Sequence, residues 1–403
     1  MLRLTNCRLC DHGRLVSRDL YIDQATGTIV PKPPKSVHVQ TVDLGGAIVA
    51  PGYIDIQNNG IYGLNFLALN SESSPAEVAQ FKAFYRDCMA KYLATGVTSL
   101  CPTVTSNFPS VYRKVLPVYK RTRSRAMADS LGAHVEGPFI NKAKKGCHPA
   151  ETFVDGHTNS FAAIYGAENL RSNVTIVTAA PEIPGVMAEI PRLLDHPNIV
   201  FSIGHTTLDL ATCRQAVASG ALMVTHLYNA MPQPHHRDAG VVGLVTDPQT
   251  KGNTPFFGLI CDGVHVAPSM CVFAYRANPD KCVLVTDAMH LIGLADGTYQ
   301  WDKQRIVKSG ASLYLEGTTT LAGAATNLAD CVKNLAKWAD ITLAQAVKTV
   351  TNNAADSLGI CHKGYLEDGC DADLVILNDA GDVLQVYKLG TPLSVSSGLT
   401  AQL

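Results

Sequence analysis

Residues 81–101 read FKAFYRDCMAKYLATGVTSLC, and this stretch decides the fold. Apolar and aromatic side chains recur at three- and four-residue steps from Phe81 to Tyr92, which is the spacing of one buried helix face. Gly96 then supplies a helix stop, and Val97–Cys101 is a short apolar run typical of a buried strand. The stretch therefore predicts a helix that leads into a parallel strand.

The same helix-to-strand order recurs along the chain. Leu210, Cys213 and Val217 mark another short helix, and Gly220 ends it before the next apolar run. Eight such runs are found: Tyr53–Gln57, Val97–Cys101, Gly132–Val135, Val174–Thr178, Val200–Ile203, Leu222–Thr225, Phe256–Cys261 and Val283–Thr286. Eight βα units favour an α/β fold closed as a (β/α)₈ TIM-type barrel. The early strands lack a glycine-rich phosphate loop, which disfavours an open dinucleotide-binding sheet.

The two ends of the chain have a different pattern. Residues 1–50 and 362–403 contain short strands and turns, and they predict one small β-sandwich module built from both ends. Residues 51–361 would form the barrel together with C-terminal linking helices near 327–340 and 343–358. A barrel needs roughly 250 residues, so 403 residues accommodate both parts.

Composition narrows the class of protein. Apolar residues make up 46% of the chain and charged residues only 17%, which predicts a large core. The net charge of -1 disfavours a nucleic-acid partner. The 12 scattered cysteines suggest reduced thiols, and we find neither an export signal nor an apolar run long enough for a membrane span. A cytoplasmic location without membrane attachment is expected.

Polar residues end several of the apolar runs. In barrels of this kind the active site lies at the C-terminal ends of the strands, so these residues are candidate ligands or catalysts. They are Gln57, Glu136, His205, His226 and Asp287. Two imidazoles and a carboxylate form a His₂Glu set that suits a divalent metal with an open position for water. One histidine at a strand end is more often a hydrogen-bonded loop residue, but three residues of metal-ligand type on separate strand ends together favour a metal.

Asp287 follows the last run and would face a metal-bound water. A metal lowers the pKa of bound water toward roughly 7, so a nearby carboxylate can accept its proton and pass it to a departing amine. The alternative is that Asp287 caps a following helix. In the first interpretation, the site hydrolyses amides.

Further polar residues follow the same strand ends. They are His148, Asn229, Ala230, Arg237 and His265. Each alone could be a solvated loop residue, whereas together they suit a polar, anionic substrate.

These segments resemble the N-acetylglucosamine-6-phosphate deacetylase family of the amidohydrolase superfamily. The resemblance spans nearly the whole chain, and the segments at residues 134–139 and 225–231 are the most specific. The similar segments are APGYIDIQ (50–57), HVEGPF (134–139), GHT (204–206), THLYNAM (225–231), HHR (235–237), DGVH (262–265), VTDA (285–288) and GCDADLV (369–375).

The resemblance implies a role for each matching residue. Glu136, His205 and His226 would bind one divalent metal, and Asp287 would act as general base and then general acid. His148 would help to polarise the acetyl carbonyl. Asn229, Ala230 and Arg237 would hold the sugar phosphate, and His265 would contact the sugar. The family also implies a homodimer and a phosphorylated amino sugar as substrate.

The chain departs from the wider pattern at several positions. Many amidohydrolases have two histidines at the first strand end for a second metal, whereas Gln57 and Asn59 stand here, so we expect one metal. Zn²⁺ is expected, with Fe²⁺, Co²⁺ and Mn²⁺ left open. Ala324 and Ala329 stand where the family usually has a serine and an aspartate. We expect this difference to affect either a local helix cap or the closure of the site over the substrate. A D-aminoacylase-like or cyclic-amide hydrolase and a non-catalytic scaffold are the alternatives.

Overall fold

The computed structural model describes residues 1–196, 198–250, 252–301 and 304–393. The strands, in chain order, are β1 Leu2–Thr5, β2 Arg8–Asp11, β3 Arg14–Ser17, β4 Leu20–Asp23, β5 Thr28–Val30, β6 Gln40–Asp43, β7 Ile48–Pro51, β8 Tyr53–Asn58, β9 Gly60–Ile61, β10 Leu64–Asn65, β11 Val97–Thr105, β12 Asp129–Ser130, β13 Ala133–Glu136, β14 Val174–Ala179, β15 Val200–Ile203, β16 Met223–Val224, β17 Phe256–Ile260, β18 Cys282–Val285, β19 Gly297–Trp301, β20 Gln304–Ser309, β21 Ser312–Leu315, β22 Leu321–Ala324, β23 Leu374–Leu377, β24 Val383–Lys388 and β25 Thr391–Pro392.

The α-helices lie between and after these strands. In chain order they are α1 Pro75–Tyr92, α2 Pro109–Val115, α3 Phe161–Tyr165, α4 Ala167–Ser172, α5 Val186–Leu194, α6 Leu210–Ala218, α7 Gly240–Gly243, α8 Pro268–Ala277, α9 Leu328–Ala339, α10 Leu343–Lys348 and α11 Asn352–Ser357. Within the described ranges, no helix is both long and apolar enough to cross a membrane.

The eight predicted runs all form parallel strands of one sheet, in the order β8, β11, β13, β14, β15, β16, β17, β18. The last strand returns to the first, because the Asp287 N–H donates to the Gln57 carbonyl at 2.8 Å. The Asp55 carboxylate adds a brace, since it accepts from the Thr286 hydroxyl at 2.7 Å. The predicted TIM-type barrel is confirmed, and β11 runs four residues beyond Cys101.

The helix predicted from residues 81–92 forms the last two thirds of α1. Ser74 and Glu77 form a capping box at its start, and Gly96 closes the following turn at φ 92°. Phe81, Tyr85, Cys88, Met89 and Tyr92 are buried, as the spacing predicts. Phe84 differs, because it faces outward.

Strands from both ends of the chain pair with one another. β7 lies antiparallel to β23 in a six-stranded sheet of order β25, β24, β23, β7, β2, β3. A four-stranded sheet of order β5, β4, β1, β6 packs on it through a separate apolar cluster that includes Leu4, Ile22 and Leu374. This arrangement agrees with the predicted module, whose division from the barrel at residues 50 and 362 stays a prediction.

The region after the last barrel strand differs from the sequence-based expectation. A four-stranded antiparallel sheet, β19 to β22, precedes the linking helices and was not predicted. Ala324 ends β22 and its carbonyl accepts from the Met289 N–H at 2.9 Å, whereas Ala329 lies in the first turn of α9. The predicted helix at 343–358 is two helices, α10 and α11.

Candidate active site

The three predicted metal ligands meet at one point. Glu136 ends β13, and His205 and His226 lie two residues after β15 and β16. Glu136 Oε1 lies 2.8 Å from His205 Nε2 and 2.9 Å from His226 Nε2, and the two Nε2 atoms are 3.1 Å apart. All three side chains are buried. The structure therefore brings together the complete His₂Glu set.

The donor set fits a cation. His205 Nδ1 contacts the Lys144 carbonyl at 2.7 Å, an acceptor only, so this nitrogen carries the proton and Nε2 presents a lone pair to the cluster. Burial opposes ionisation of Glu136, but His205 and His226 hold its pKa well below the usual range. Burial also opposes protonation of His226, yet Glu136 raises its pKa to about 9. A positive charge among these three groups is strongly favoured.

The backbone around the site is strained. His205, His226 and Asp287 have positive φ values of 50°, 30° and 43°, which residues other than glycine seldom adopt. Such conformations cluster at active sites because the surrounding fold must hold them. The strand-to-loop turns thus direct all three side chains into the mouth of the barrel.

Asp287 lies beside the cluster in a half-buried position in the same cavity. Its pKa is raised, first by burial and then by the charge of Glu136. Asn59 Nδ2 donates to Asp287 Oδ1 at 2.8 Å, and Gln57 Nε2 donates to Glu136 Oε2 at 3.3 Å. The two first-strand residues therefore orient the carboxylates. The helix-cap alternative for Asp287 is wrong, because residues 288–296 form turns and loop.

His148 reaches the cluster from the loop after β13. Its Nε2 lies 4.0 Å from Glu136 Oε1. Burial and the neighbouring His205 lower the pKa of His148 to about 3, so the ring is neutral at neutral pH. The Ser106 N–H donates to His148 Nδ1 at 3.3 Å, which leaves the ring proton on Nε2. His148 thus presents an N–H donor toward the cluster.

One cavity of about 360 Å³ opens over these residues, a size that suits a small polar ligand. Asn229, Ala230 and His265 also line it. The Asn229 backbone N–H is already bonded to the His226 carbonyl at 2.9 Å. Burial opposes protonation of His265, but its 2.7 Å contact with Asp262 raises its pKa.

Arg237 lies apart from the other predicted site residues. It is exposed on the loop after Met231, it does not line the cavity, and it forms no ion pair with a described residue. Its predicted role in holding a phosphate stays a prediction.

Sequence reasoning missed four polar residues near the site. Ser106 supports His148, and Asn65 and His290 line the cavity. Glu182 accepts hydrogen bonds from the loop that carries His205. Ser106 directly follows the observed end of β11, so the rule that identifies Glu136 also identifies Ser106 once that strand is extended to Thr105, whereas Glu182 lies three residues beyond β14.

Comparisons with known proteins agree with this geometry. The sequence profile of the amidohydrolase family matches residues 48–393. The chain is 36% identical over 401 residues to N-acetylglucosamine-6-phosphate deacetylase from Bos taurus, covering 97% of this chain and 95% of that protein. The corresponding protein from Danio rerio is 37% identical over 400 residues, covering 96% and 95%. The crystal structure of N-acetylglucosamine-6-phosphate deacetylase from Pasteurella multocida superimposes with a TM-score of 0.82 at 25% identity, covering 98% of this chain and 99% of that chain.

Proposed function

We propose that this chain, which belongs to the N-acetylglucosamine-6-phosphate deacetylase family of the amidohydrolases, hydrolyses the acetamide of N-acetylglucosamine 6-phosphate. The products are glucosamine 6-phosphate and acetate, as in amino sugar catabolism. The observation that carries the proposal is the convergence of Glu136, His205 and His226 on one point beside Asp287.

Enzymes of this family depend on a metal, and Glu136, His205 and His226 would hold one divalent cation here. Zn²⁺ suits the two imidazoles and the carboxylate, and Fe²⁺, Co²⁺ and Mn²⁺ accept the same ligands. When bound, such a cation acidifies water and polarises a carbonyl oxygen. Gln57 and Asn59 replace the imidazoles of a second site, which supports a single metal.

Asp287 is the proposed general base and acid. Its carboxylate takes a proton from the attacking water as the water oxygen bonds to the acetyl carbon. It then gives that proton to the sugar nitrogen as the carbon–nitrogen bond breaks, so acetate and the free amine leave. Its raised pKa suits both transfers, because a group that titrates nearer neutral pH accepts and returns a proton more readily.

The neutral His148 is the proposed electrophilic group. Its Nε2–H donates to the acetyl oxygen as negative charge develops there, and a donor of this kind typically contributes about 3 kcal/mol. His265 would contact the sugar, and Asn229 and Ala230 would border the phosphate. Arg237 would hold the phosphate, and we propose a homodimer, as the resemblance to the family implies. We also propose that the protein is located in the cytoplasm.

The test combines acetate release with elemental analysis of the purified protein. Wild-type protein should carry about one metal per chain and release acetate from N-acetylglucosamine 6-phosphate. Asp287→Asn should keep the metal and the unfolding midpoint, yet lose about 10²- to 10⁴-fold in kcat, because the amide cannot accept a proton. Asp195→Asn, at an exposed helix end, should behave as wild type. Wild-type turnover by Asp287→Asn would remove this residue from the mechanism.

A further inference from the structure

Asn65 and His290 are among the polar residues that line the cavity and have no role in the proposed mechanism. Asn65 ends β10, in the hairpin that follows the first barrel strand, and His290 lies three residues after Asp287. Asn65 Oδ1 accepts from the Leu67 N–H at 2.8 Å, which orients the side-chain amide. The first and last strands of the barrel therefore each contribute a polar group to the same wall.

The backbone of His290 is fixed by this hairpin. Its carbonyl accepts from the Gly63 N–H at 2.7 Å, and the Tyr62 N–H donates to the Ile292 carbonyl at 2.9 Å. At Gly60 a side chain would have its Cβ 2.7 Å from the His290 Cβ, so only glycine permits this approach. The imidazole is thus held in the cavity wall by close packing on a structured hairpin.

The imidazole of His290 is nearly buried yet lacks a protein partner. The residue is 9% exposed, and neither ring nitrogen forms a hydrogen bond with any part of the chain that the structure describes. Neither nitrogen is among the fully buried polar atoms without a partner, so both reach accessible space. Burial lowers the pKa of His290, so at neutral pH the ring offers one N–H donor and one acceptor.

We propose that His290 is a substrate-binding residue that hydrogen-bonds a ring hydroxyl of the amino sugar and selects sugars that carry it. This inference rests on the proposed function. A hydroxyl both donates and accepts, which matches a neutral imidazole, whereas a phosphate is better matched by a cation. A ligand without the hydroxyl would cover the ring and leave its polar atoms unpaired, which disfavours binding.

The test pairs substitutions at His290 with sugars that lack one hydroxyl. The probes are N-acetylglucosamine 6-phosphate and its 3-deoxy and 4-deoxy analogues, assayed by acetate release. His290→Phe should reduce kcat/KM about tenfold for the full substrate, mostly through KM. For the deoxy analogue that lacks the recognised hydroxyl, kcat/KM should be the same in the variant and the wild type. His290→Gln should recover part of the loss, since its amide also donates and accepts. His38→Phe, in an exposed segment of the N-terminal region, is the control.

The outcomes distinguish failure of this inference from failure of the proposed function on which it rests. Equal losses on all three sugars, or no loss on any, would overturn the role of His290 while the deacetylase activity stands. No acetate release by wild-type protein would overturn the proposed function, and this inference with it. If His290→Phe does not fold, the same three-sugar comparison with His290→Leu decides, because loss of selectivity for one hydroxyl is not expected from a structural defect.

Discussion

At the scale of single residues, the tautomer of His148 is set by Ser106. The Ser106 hydroxyl lies 2.7 Å from His148 Nδ1, and its backbone N–H lies 3.3 Å from the same atom. Since the N–H can only donate, Nδ1 must accept, and the ring proton stays on Nε2, where the proposed mechanism requires it.

Ser106→Ala should therefore lower kcat for N-acetylglucosamine 6-phosphate by about tenfold or less with little change in KM. The hydroxyl contact is lost, but the weaker backbone donor still favours the same tautomer. Steady-state acetate release measures both constants. Ser110→Ala, at the start of α2, is the matched control and should leave them unchanged. An unaltered kcat in Ser106→Ala would show that the tautomer does not depend on this hydroxyl.

The sequence predicted site residues where a polar side chain ends an apolar run. Glu136, His226 and Asp287 satisfy that rule, and the structure brings them together. Ser106 does not satisfy the rule in the sequence, because the apolar run ends at Cys101, whereas β11 continues through a proline and two threonines to Thr105. His290 could not be predicted for another reason, since only the tertiary packing of the Gly60 hairpin turns that loop residue toward the cavity.

At the scale of elements, Glu182 joins the loops that follow three neighbouring barrel strands. It lies after β14 and accepts from the Thr206 hydroxyl at 2.6 Å and the Thr207 N–H at 2.7 Å, in the loop after β15. It also accepts from Asn141 Nδ2 at 3.1 Å, in the loop after β13, and the Asn141 N–H donates to the His205 carbonyl. One carboxylate thus fixes both loops around His205.

Glu182→Gln should weaken metal binding by roughly tenfold, because an amide cannot accept from all three donors and His205 loses its support. Titration of metal-free protein with Zn²⁺ measures the affinity, and acetate release should recover when metal is in excess. Glu168→Gln, on the exposed face of α4, should bind metal as wild type does. Unchanged affinity in Glu182→Gln would assign Glu182 to loop structure alone.

The strands of the barrel were predictable because each is a short apolar run between helices. The break between α10 and α11 was not, because it depends on hydrogen bonds that compete with the helix. The Thr349 hydroxyl donates to the Ala346 carbonyl at 2.6 Å, and the Thr351 hydroxyl donates to the Val347 carbonyl at 2.9 Å. Apolar periodicity across residues 343–358 continues through the break and so suggested one helix.

At the scale of the whole molecule, a buried ion cluster joins the C-terminal segment to the barrel. Lys388 in β24 contacts Asp129 in β12 at 2.6 Å and Asp373 at 2.7 Å. Lys363 contacts the same two aspartates and also Asp371. Sequence patterns predicted strands at both chain ends, but they carry no signal for five charges from distant positions that meet in the interior.

This cluster makes stability depend on pH in both directions. Burial opposes ionisation of Asp373, but the two lysines lower its pKa. The contribution of Asp373 to stability is therefore present above its unfolded pKa of about 3.9, and it is lost as the pH falls through the folded value. Burial likewise opposes the charge of Lys363, but the aspartates raise its pKa. The contribution of Lys363 to stability is present below its unfolded pKa of about 10.4, and it is lost as the pH rises through the folded value.

Lys388→Met should lower the free energy of unfolding at pH 7 by about 3–5 kcal/mol, because it leaves the three buried carboxylates of the cluster with Lys363 as their one lysine partner. The difference in free energy of unfolding from wild type should narrow as the pH falls toward 4, since Asp373 with one lysine partner takes up a proton more readily than Asp373 with two. Denaturant unfolding at several pH values measures both effects. Lys348→Met removes a partly exposed pair with Asp280 and should cost about 1 kcal/mol or less. A small, pH-independent loss in Lys388→Met would mean that the buried charges do not hold the C-terminal segment on the barrel.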